Sequence, residues 1–494
     1  MSGKYKAVAS GAITNGKPVL VHTDGTVKQV AETSISSTGG TPVEFQGDEA
    51  SYISTTFDSN ANKIVMSFIN QDGSNDGTSR VGTINASDNS VSFGTAAEYT
   101  ANYGTYVASA FDSNSNKVVV AYRDHSNSNY GTAAVGTVSG TNISFGTPVV
   151  FESAATAEIC VVFDDNSNKI VIVYYDEGNS SRGTAIVGTV SSTSISFGTA
   201  AVWETGFLNW IAATFDSNSN KVVISYNLYL GAPSYAGQGT AIVGTVSGTG
   251  ISFGSSAAFR TRTNSPSSAF EKNTSCFDSN SNKVVLAYED KRGGGGNAGQ
   301  AVVGTVSGTN ISFGTPVYFG PSETVTPVII FDSVNNKVIV AYGDTTNSRY
   351  LTVKIGTVSG TDISFDSAVV LTSIRAGNGS EPFGGAFDPN TGRAIFGYND
   401  TLGGGEGLAV VFRPASLTPN LTSENFIGLA TGGTYPTAAE ATIDIVGTVN
   451  KDQSGLTAGQ TYFVQTDGTL GTSADDPSVV AGTAISATEL IVKG

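Results

Sequence analysis

The side chains best suited to bind a ligand are four aromatic residues that lie close together in the sequence: Phe207, Trp210, Tyr229 and Tyr235. Flat aromatic faces stack on sugar rings, and large apolar side chains that stay exposed mark binding surfaces. We therefore predict a ligand-binding surface at these residues, with a glycan as the ligand that suits it best. For Trp210, which opens a predicted inner strand, a place in the core is the alternative.

A second candidate contact is basic. Arg123 and His125 flank Asp124 in a predicted loop, where they could bind a ligand or simply face solvent. His22 is the only other histidine in the sequence. With two histidines in all, a histidine-dependent catalytic triad and a histidine-rich metal site are excluded. The sequence predicts no catalytic residue, no metal and no cofactor.

Acidic residues recur two positions after the tyrosine that closes a predicted strand, at Asp124, Asp176, Asp290, Asp344 and Asp400. A glycan hydrolase needs two carboxylates at a defined separation, whereas an aspartate that starts a turn only bonds its own backbone. Fivefold repetition favours the turn interpretation, because a catalytic residue has no reason to recur in every repeat. We predict that the protein is not an enzyme, and a capsule-degrading glycan hydrolase is the alternative.

The elements that position these residues are sequence repeats. A Phe-Asp pair recurs seven times, in steps of 52 to 62 residues, and an Asn/Ser-rich turn and an apolar strand follow each pair. The phenylalanines are Phe57, Phe111, Phe163, Phe215, Phe277, Phe331 and Phe387. A period of about 50 residues with several strands per unit is typical of a β-propeller, in which each repeat forms one blade. We predict an all-β, seven-bladed propeller.

The second repeat shows the predicted blade most clearly, with strands at 106–111, 117–122, 132–138 and 143–151. The seventh repeat stops after its third strand, and residues 40–45 match the fourth strand of other repeats. We therefore predict that this N-terminal segment closes the ring and removes an exposed sheet edge. The loops between second and third strands differ among repeats, which is typical of a binding face on a constant scaffold.

Composition narrows the function classes. The 494-residue chain carries a net charge of −16, and an acidic surface disfavours nucleic acid and anionic lipid as partners. No apolar run approaches 20 residues and no secretion signal is visible, so we expect synthesis in a cytoplasm without membrane insertion. Cys160 and Cys276 fall in different repeats, which predicts two separate buried thiols.

Residues outside the repeats form two pieces that echo each other. Residues 16–27 and 459–470 both read as a hairpin with an Asp-Gly turn. Neither piece is long enough for a core of its own. We therefore predict one discontinuous β-domain from residues 1–38 and 415–494, with the propeller inserted as residues 39–414. Strand direction would bring both connections out on the face that carries the uniform turns, so the variable loops would lie on the opposite face.

A family resemblance rests on these terminal pieces. The N-terminal residues that carry it are Ala9-Ser10-Gly11-Ala12-Ile13, Gly16, Pro18-Val19 and Asp24-Gly25-Thr26-Val27. The C-terminal residues are Asn425-Phe426-Ile427-Gly428-Leu429-Ala430, Gly455-Leu456-Thr457, Gly459, Tyr462, Val464, Asp467-Gly468-Thr469-Leu470, Gly482, Ala484 and Ser486-Ala487-Thr488. With them, the chain resembles the small β-domains of tailed-bacteriophage virion proteins, especially tail fibres and head or collar decorations.

The resemblance implies a virion structural protein of tail-fibre or appendage type, anchored by its terminal domain and displaying the propeller for host attachment. It implies other virion proteins as partners of the base, a glycan or protein of the host surface as a possible ligand, and a homo-oligomer. The alternative within this class is a head-decoration or collar protein without a receptor. The resemblance transfers no catalytic residue.

Overall fold

Short β-strands joined by tight turns make up the protein in the computed structural model. The structure describes residues 3–73, 75–229, 237–260, 270–291, 297–320, 324–377 and 383–493. Within these ranges the helical segments are three single 3-10 turns, at His125–Asn127, Glu177–Asn179 and Thr345–Asn347. The same ranges hold no helix long and apolar enough to cross a membrane. The predicted all-β class is confirmed.

The chain divides into two compact units. One unit combines Met1–Ser36 with Ala415–Gly494, and the other is the continuous segment Ser37–Pro414. Each unit has its own apolar clusters, and we describe the larger unit first.

Each Phe-Asp pair ends the inner strand of an antiparallel sheet. The seven inner strands are Val43–Asp58, Ala97–Asp112, Val149–Asp164, Phe207–Asp216, Phe270–Asp278, Thr324–Asp332 and Gly384–Asp388. Their second strands are Lys63–Asn70, Lys117–Asp124, Lys169–Asp176, Lys221–Tyr229, Lys283–Lys291, Lys337–Asp344 and Arg393–Asn399. The third strands are Asp76–Asn85, Tyr130–Ser139, Arg182–Ser191, Gly237–Ser247, Asn297–Ser307, Tyr350–Ser359 and Glu406–Arg413.

The outer edge of each sheet is built from two short pieces. The first pieces are Ser90–Phe93, Asn142–Phe145, Ser194–Phe197, Gly250–Phe253, Asn310–Phe313 and Asp362–Phe365. The second pieces are Ala201–Glu204, Ala257–Arg260, Val317–Tyr318 and Val369–Arg375, or, in three repeats, the beginning of the next inner strand. The predicted unbroken fourth strand at 143–151 is therefore wrong. Pro148 supplies no backbone donor, and the strand breaks before Val149.

Glycine at this break allows neighbouring sheets to approach each other. A Cβ on Gly146 would overlap the carbonyl oxygen of Thr193, in the turn of the next repeat. Gly40, Gly94, Gly198, Gly254 and Gly314 make the same approach to the following repeat. The sixth repeat carries Asp366 at this position, and the seventh repeat has no corresponding turn to meet it, because the chain leaves after Arg413.

The second strands are apolar on both faces because each lies between two neighbouring sheets. In the second repeat, Val118 and Val120 belong to a cluster shared with the first repeat, and Val119 and Ala121 to one shared with the third. Among the described residues, seven such clusters each join two consecutive repeats, and one of them joins the seventh repeat to the first.

The N-terminal segment pairs with the last third strand. Val43–Asp58 runs antiparallel to Glu406–Arg413, with Val43 opposite Ala409 and Glu44 opposite Leu408, and Thr38–Gly39 continues the pairing beside Phe412. Residues 43–46 thus occupy the edge that an exposed strand of the seventh repeat would otherwise leave open.

The turns after the Phe-Asp pairs share one set of hydrogen bonds. Asp112 Oδ1 accepts from the backbone N–H groups of Asn114 at 2.9 Å and Ser115 at 3.0 Å, and Asn116 follows with φ = 55°. Asparagine tolerates this left-handed conformation and aspartate bonds its own turn, so the local sequence explains the turn.

The smaller unit consists of two five-stranded sheets with the same topology and a two-stranded ribbon. The first sheet has the order Lys4–Val8, Glu440–Asp444, Phe426–Ala430, Pro18–Val21, Val27–Gln29. The second has the order Val449–Asn450, Leu490–Val492, Val479–Ala484, Thr461–Val464, Leu470–Gly471. In both sheets the chain order is edge strand, hairpin, then two further strands. Glu32–Ile35 pairs with Ser416–Pro419 to form the ribbon, so Ile35 lies opposite Ser416.

The two predicted hairpins of this unit use the same turn. Asp24 Oδ1 accepts from the N–H and hydroxyl of Thr26 at 2.9 and 2.7 Å, and Gly25 has φ = 80°. Asp467 bonds Thr469 in the same way, at 2.8 and 2.6 Å. The echo in the sequence therefore corresponds to a repeated structural motif, and the Ser37–Pro414 unit interrupts the first copy after its hairpin.

Candidate functional site

An aromatic cluster lies at one end of the fourth repeat. Phe207 is 60% exposed and lies opposite Tyr229 on the neighbouring strand, with ring centroids 5.3 Å apart. Tyr175 of the third repeat contacts Phe207 edge-on at 6.2 Å. Asn209 Nδ2 donates to the Tyr229 hydroxyl at 3.1 Å and so orients its ring. We call Tyr175, Phe207 and Tyr229 the surface cluster.

The structure brings together only part of the predicted aromatic group. Phe207 and Tyr229 meet as predicted from their positions at neighbouring loops, while Tyr235 lies outside the described residues. Trp210 does not join them, because a bulge in its strand turns it towards a central cavity. Tyr175 was missed, although it occupies the same position in its repeat as Arg123 does in the second repeat.

Arg123 and His125 belong to the second repeat. The Arg123 guanidinium pairs with Glu177 at 3.1 Å and lies 6.0 Å from the centroid of the Tyr106 ring. His125 stacks on Tyr103 with centroids 4.2 Å apart, and its Nε2 lies 2.9 Å from Thr105 Oγ1. Burial, and then the nearby Arg123, lower the pKa of His125 below its usual range. The His125 ring therefore serves as a packing and hydrogen-bonding group in this loop.

A cavity of 560 Å³ lies between the inner strands, and residues from all seven of them line it. We call it the inner-strand channel. Most of its wall is made of small or β-branched side chains, such as Ser54, Ala108, Ala212 and Ser275. Its volume falls within the range of about 300–1,000 Å³ that small-molecule sites occupy.

Six inner strands place a residue on the channel wall at one level, five residues before the phenylalanine of the pair. In the described residues this level holds Tyr52, Tyr106, Glu158, Trp210, Lys272 and Thr326. All six have φ between 46° and 53°, and the inner strand bulges at each of them. We call these six residues the channel ring. Pro382 holds the equivalent position in the seventh repeat and lies outside the described residues.

The backbone of Trp210 is held from both sides within this ring. Its N–H, with that of Ile211, donates to the Glu158 carboxylate, and its carbonyl oxygen accepts from Asn273 Nδ2 at 2.6 Å. The Lys272 ammonium lies 5.6 Å from the centroid of the Trp210 ring. Burial raises the pKa of the half-buried Glu158 carboxyl, although the two backbone donors oppose this shift. A carboxylate thus holds the Trp210 backbone, and an ammonium lies over the Trp210 ring.

The repeated aspartates serve mainly as turn residues. Asp124 Oδ1 accepts from Ser126 and Asn127 N–H groups at 3.0 and 3.2 Å, and Asp176, Asp344 and Asp400 bond their own turns similarly. The turn interpretation is confirmed for these four. Asp290 differs, because it forms a buried ion pair with Arg260 at 2.6 Å.

The two thiols are separate, as predicted. Cys160 is half-buried on the channel wall, where its Sγ donates to the Ile211 carbonyl oxygen at 3.0 Å, and burial raises its pKa to about 12. Cys276 is buried, and burial raises its pKa as well. Across the ranges given above, no group of three His, Cys, Asp or Glu side chains is arranged to hold a metal ion.

Comparison with solved structures gives distant likenesses. Among solved structures similar to this chain is the periplasmic gluconolactonase of Pseudomonas aeruginosa, at 13% identity and a TM-score of 0.44, over 75% of this chain and 97% of that one. No protein-family model and no curated protein matches the chain. At this identity the likeness assigns neither substrate nor reaction.

That neighbour nevertheless corrects one prediction. It is an enzyme by name, so the prediction that this protein is not an enzyme is contradicted and is withdrawn. The prediction rested on scarce histidines and on aspartates that recur in turns. Scarce histidines bear only on histidine-dependent chemistry, and a carboxylic acid and an amine can also transfer protons. Glu158 and Lys272 are such groups on the channel wall.

Proposed function

We propose that the Ser37–Pro414 unit is a seven-bladed β-propeller closed by its N-terminal strand. Each four-stranded sheet would be one blade, with its inner strand beside the channel. Support comes from the apolar clusters between consecutive repeats, which include one between the seventh repeat and the first. A ring of this kind leaves short, protected edges and presents the loops of every blade on two opposite faces.

We further propose that the chain is a virion protein of a tailed bacteriophage, which attaches the particle to the surface of its host. The smaller unit would anchor the chain to other virion proteins and hold it in a homo-oligomer. The propeller would be displayed to the outside. The resemblance of the terminal pieces to virion β-domains supports the class, and the surface cluster supports the binding role.

The single observation that carries the binding role is the exposure of Phe207. A phenylalanine that is 60% exposed, with Tyr229 and Tyr175 in contact, keeps a mainly apolar surface in water. Phe207 could have been polar at no cost to the core, because its neighbour Leu208 already fills the buried position. Aromatic faces rimmed by hydroxyl and amide groups suit a glycan of the cell envelope.

Weak individual contacts would suffice in this role. Several copies held on one particle convert later binding events into intramolecular ones, which raises the overall affinity by about 10²–10⁴ without a new contact. A surface cluster of three aromatic residues on each copy is therefore large enough for host attachment, provided that the copies face the same surface.

The experiment is an in-frame deletion of residues 37–414 in the phage that encodes the protein. Ile35 lies opposite Ser416, so a short Gly-Asn loop can rejoin the ribbon. We expect assembled particles that carry the shortened protein and adsorb poorly to host cells. The matched control is Tyr318→Ser, which removes an exposed aromatic residue outside the cluster.

Three outcomes would overturn the proposal. Shortened particles that adsorb normally would leave a head-decoration or collar role. Intact protein that steadily releases new reducing ends from host polysaccharide would identify a glycan hydrolase. Failure to detect the protein in purified particles by mass spectrometry would remove the virion role altogether.

A further inference from the structure

We propose that the inner-strand channel is a separate ligand site, which takes a single pyranose sugar at the channel ring, either free or at the end of a glycan. This site lies apart from the surface cluster, since Phe207 and Tyr229 do not line the channel. The inference does not depend on the virion role.

The backbone conformation of the channel ring is unfavourable for the residue types that adopt it. A non-glycine residue in the left-handed region costs about 1–2 kcal/mol, and glycine or asparagine adopts it most easily. Where only the backbone matters, this chain follows that rule. The turns after the Phe-Asp pairs place Asn62, Asn116, Asn168, Asn220, Asn282, Asn336 and Gly392 at φ between 54° and 62°.

The channel ring breaks the rule at the same φ. Tyr52, Tyr106, Trp210, Lys272 and Glu158 are large side chains, and Thr326 is β-branched, which makes the conformation least favourable of all. The bulge itself is an architectural feature, because it recurs in six inner strands. The residue types are not explained by it. Strained residues that the surroundings hold in place are typical of ligand sites, and we infer that these side chains are kept for what they present to the channel.

Trp210 is also held in a fixed position within the ring. Its backbone is bonded on both sides, to Glu158 and to Asn273, and Asn273 is itself held by the Ser225 hydroxyl, which donates to Asn273 Oδ1 at 2.7 Å. Little conformational freedom remains to be lost when a ligand stacks on the indole, and such preorganisation favours binding.

The chemistry of the ring points to a sugar. Trp210, Tyr52 and Tyr106 offer aromatic faces for the apolar face of a pyranose. The Glu158 carboxylate accepts hydrogen bonds, whereas the Lys272 ammonium donates them, so hydroxyl groups of a sugar can bond to either group. The two charges cancel, which favours a neutral ligand, and 560 Å³ holds a hexose with water around it.

Tryptophan fluorescence provides the test, because the chain has only two tryptophans. Trp203, in the third repeat, is buried against Tyr226 of the fourth repeat and does not line the channel. In the full-length Trp203→Phe protein the emission reports Trp210 alone. We would titrate it with glucose, galactose, mannose, rhamnose and N-acetylglucosamine. We expect a saturable change in emission with at least one of them, and affinity weakened about tenfold or more in Glu158→Gln.

Lys272→Met serves as the second variant, because it keeps the aliphatic stem and removes the donor. We expect it to weaken binding of the same sugar. The control Tyr318→Ser, outside the channel, should bind as the parent does. Absence of any saturable change with all five sugars would overturn the proposal. The proposal would also fail if Glu158→Gln and Lys272→Met both bound the sugar as tightly as the parent protein. A response to free amino acids without a response to sugars would overturn it as well.

Discussion

The Lys272 ammonium lies over the Trp210 ring, 5.6 Å from its centroid, and the two residues belong to inner strands of neighbouring repeats. Both residues adopt φ near 50°, a conformation that neither side chain favours. The contact therefore joins two strained positions across the channel wall, and Glu158 holds Trp210 from the other side. A site assembled from three repeats is the structural basis of the predictions on the channel.

As the pH falls, sugar binding in the channel should begin to weaken at a higher pH than it would with a glutamate of ordinary pKa. Burial raises the pKa of Glu158 above its usual value of 4.5, so protonation begins at a higher pH and removes an acceptor. Nearby Cys160, with a pKa of about 12, stays neutral throughout, and Lys272 is the basic group beside Trp210. Fluorescence titrations of Trp203→Phe between pH 7 and 4.5 should show falling sugar affinity.

The stability of the unliganded protein should change in the opposite sense. A carboxyl whose pKa is raised in the folded state binds its proton more tightly there than in the unfolded chain. Its contribution is therefore fully present below the unfolded pKa and is lost as pH rises through the folded one. Glu158→Gln should reduce the pH dependence both of sugar affinity and of the free energy of unfolding. Parallel loss of binding and stability in acid would indicate general acid unfolding instead.

Because neighbouring sheets approach each other closely at Gly254, substitution of this glycine should destabilise the protein. A Cβ on Gly254 would overlap the Thr309 carbonyl oxygen, and backbone cannot move aside as a side chain can. We expect Gly254→Ala to lower the free energy of unfolding by about 1–3 kcal/mol in urea. Asp366→Ala, at the equivalent position of the sixth repeat, is the matched control and should be neutral. Equal effects of the two would contradict the account of the sheet contact.

The buried ion pair between Arg260 and Asp290 should be sensitive to loss of one partner. Both side chains are nearly inaccessible, and Arg260 also donates to the Gly237 carbonyl oxygen at 3.0 Å. Arg260→Met leaves a buried carboxylate without its cation, and we expect a loss of about 3–5 kcal/mol in urea unfolding. Lys6→Met removes an equally short but exposed pair with Glu440 and should have no measurable effect.

Local signals in the sequence predicted the strands and turns but not the channel. Apolar runs such as residues 117–122 and the Asp/Asn turns identify their own conformation, because the physical cause lies within a few residues. Phe207 and Tyr229 could be predicted for the same reason, since they face each other across one pair of strands.

The channel ring has no such signal. Glu158, Trp210 and Lys272 are about 50 to 60 residues apart and meet only when the repeats pack. Their left-handed conformation also runs against residue preference, so Tyr, Trp and Lys at these positions read as ordinary strand residues. Alignment of the repeats offers one clue, because five of the seven repeats carry an aromatic or charged residue five positions before the phenylalanine.

The central claim is that the propeller binds a host-surface glycan through the surface cluster. The most direct measurement is binding of the intact protein to immobilised bacterial envelope polysaccharides, compared among wild type, Phe207→Ser, Tyr229→Ser and the control Tyr318→Ser. We predict binding to at least one polysaccharide, about tenfold or more weaker in both cluster variants and unchanged in the control. Binding that survives both cluster substitutions, or no binding to any polysaccharide, would contradict the claim.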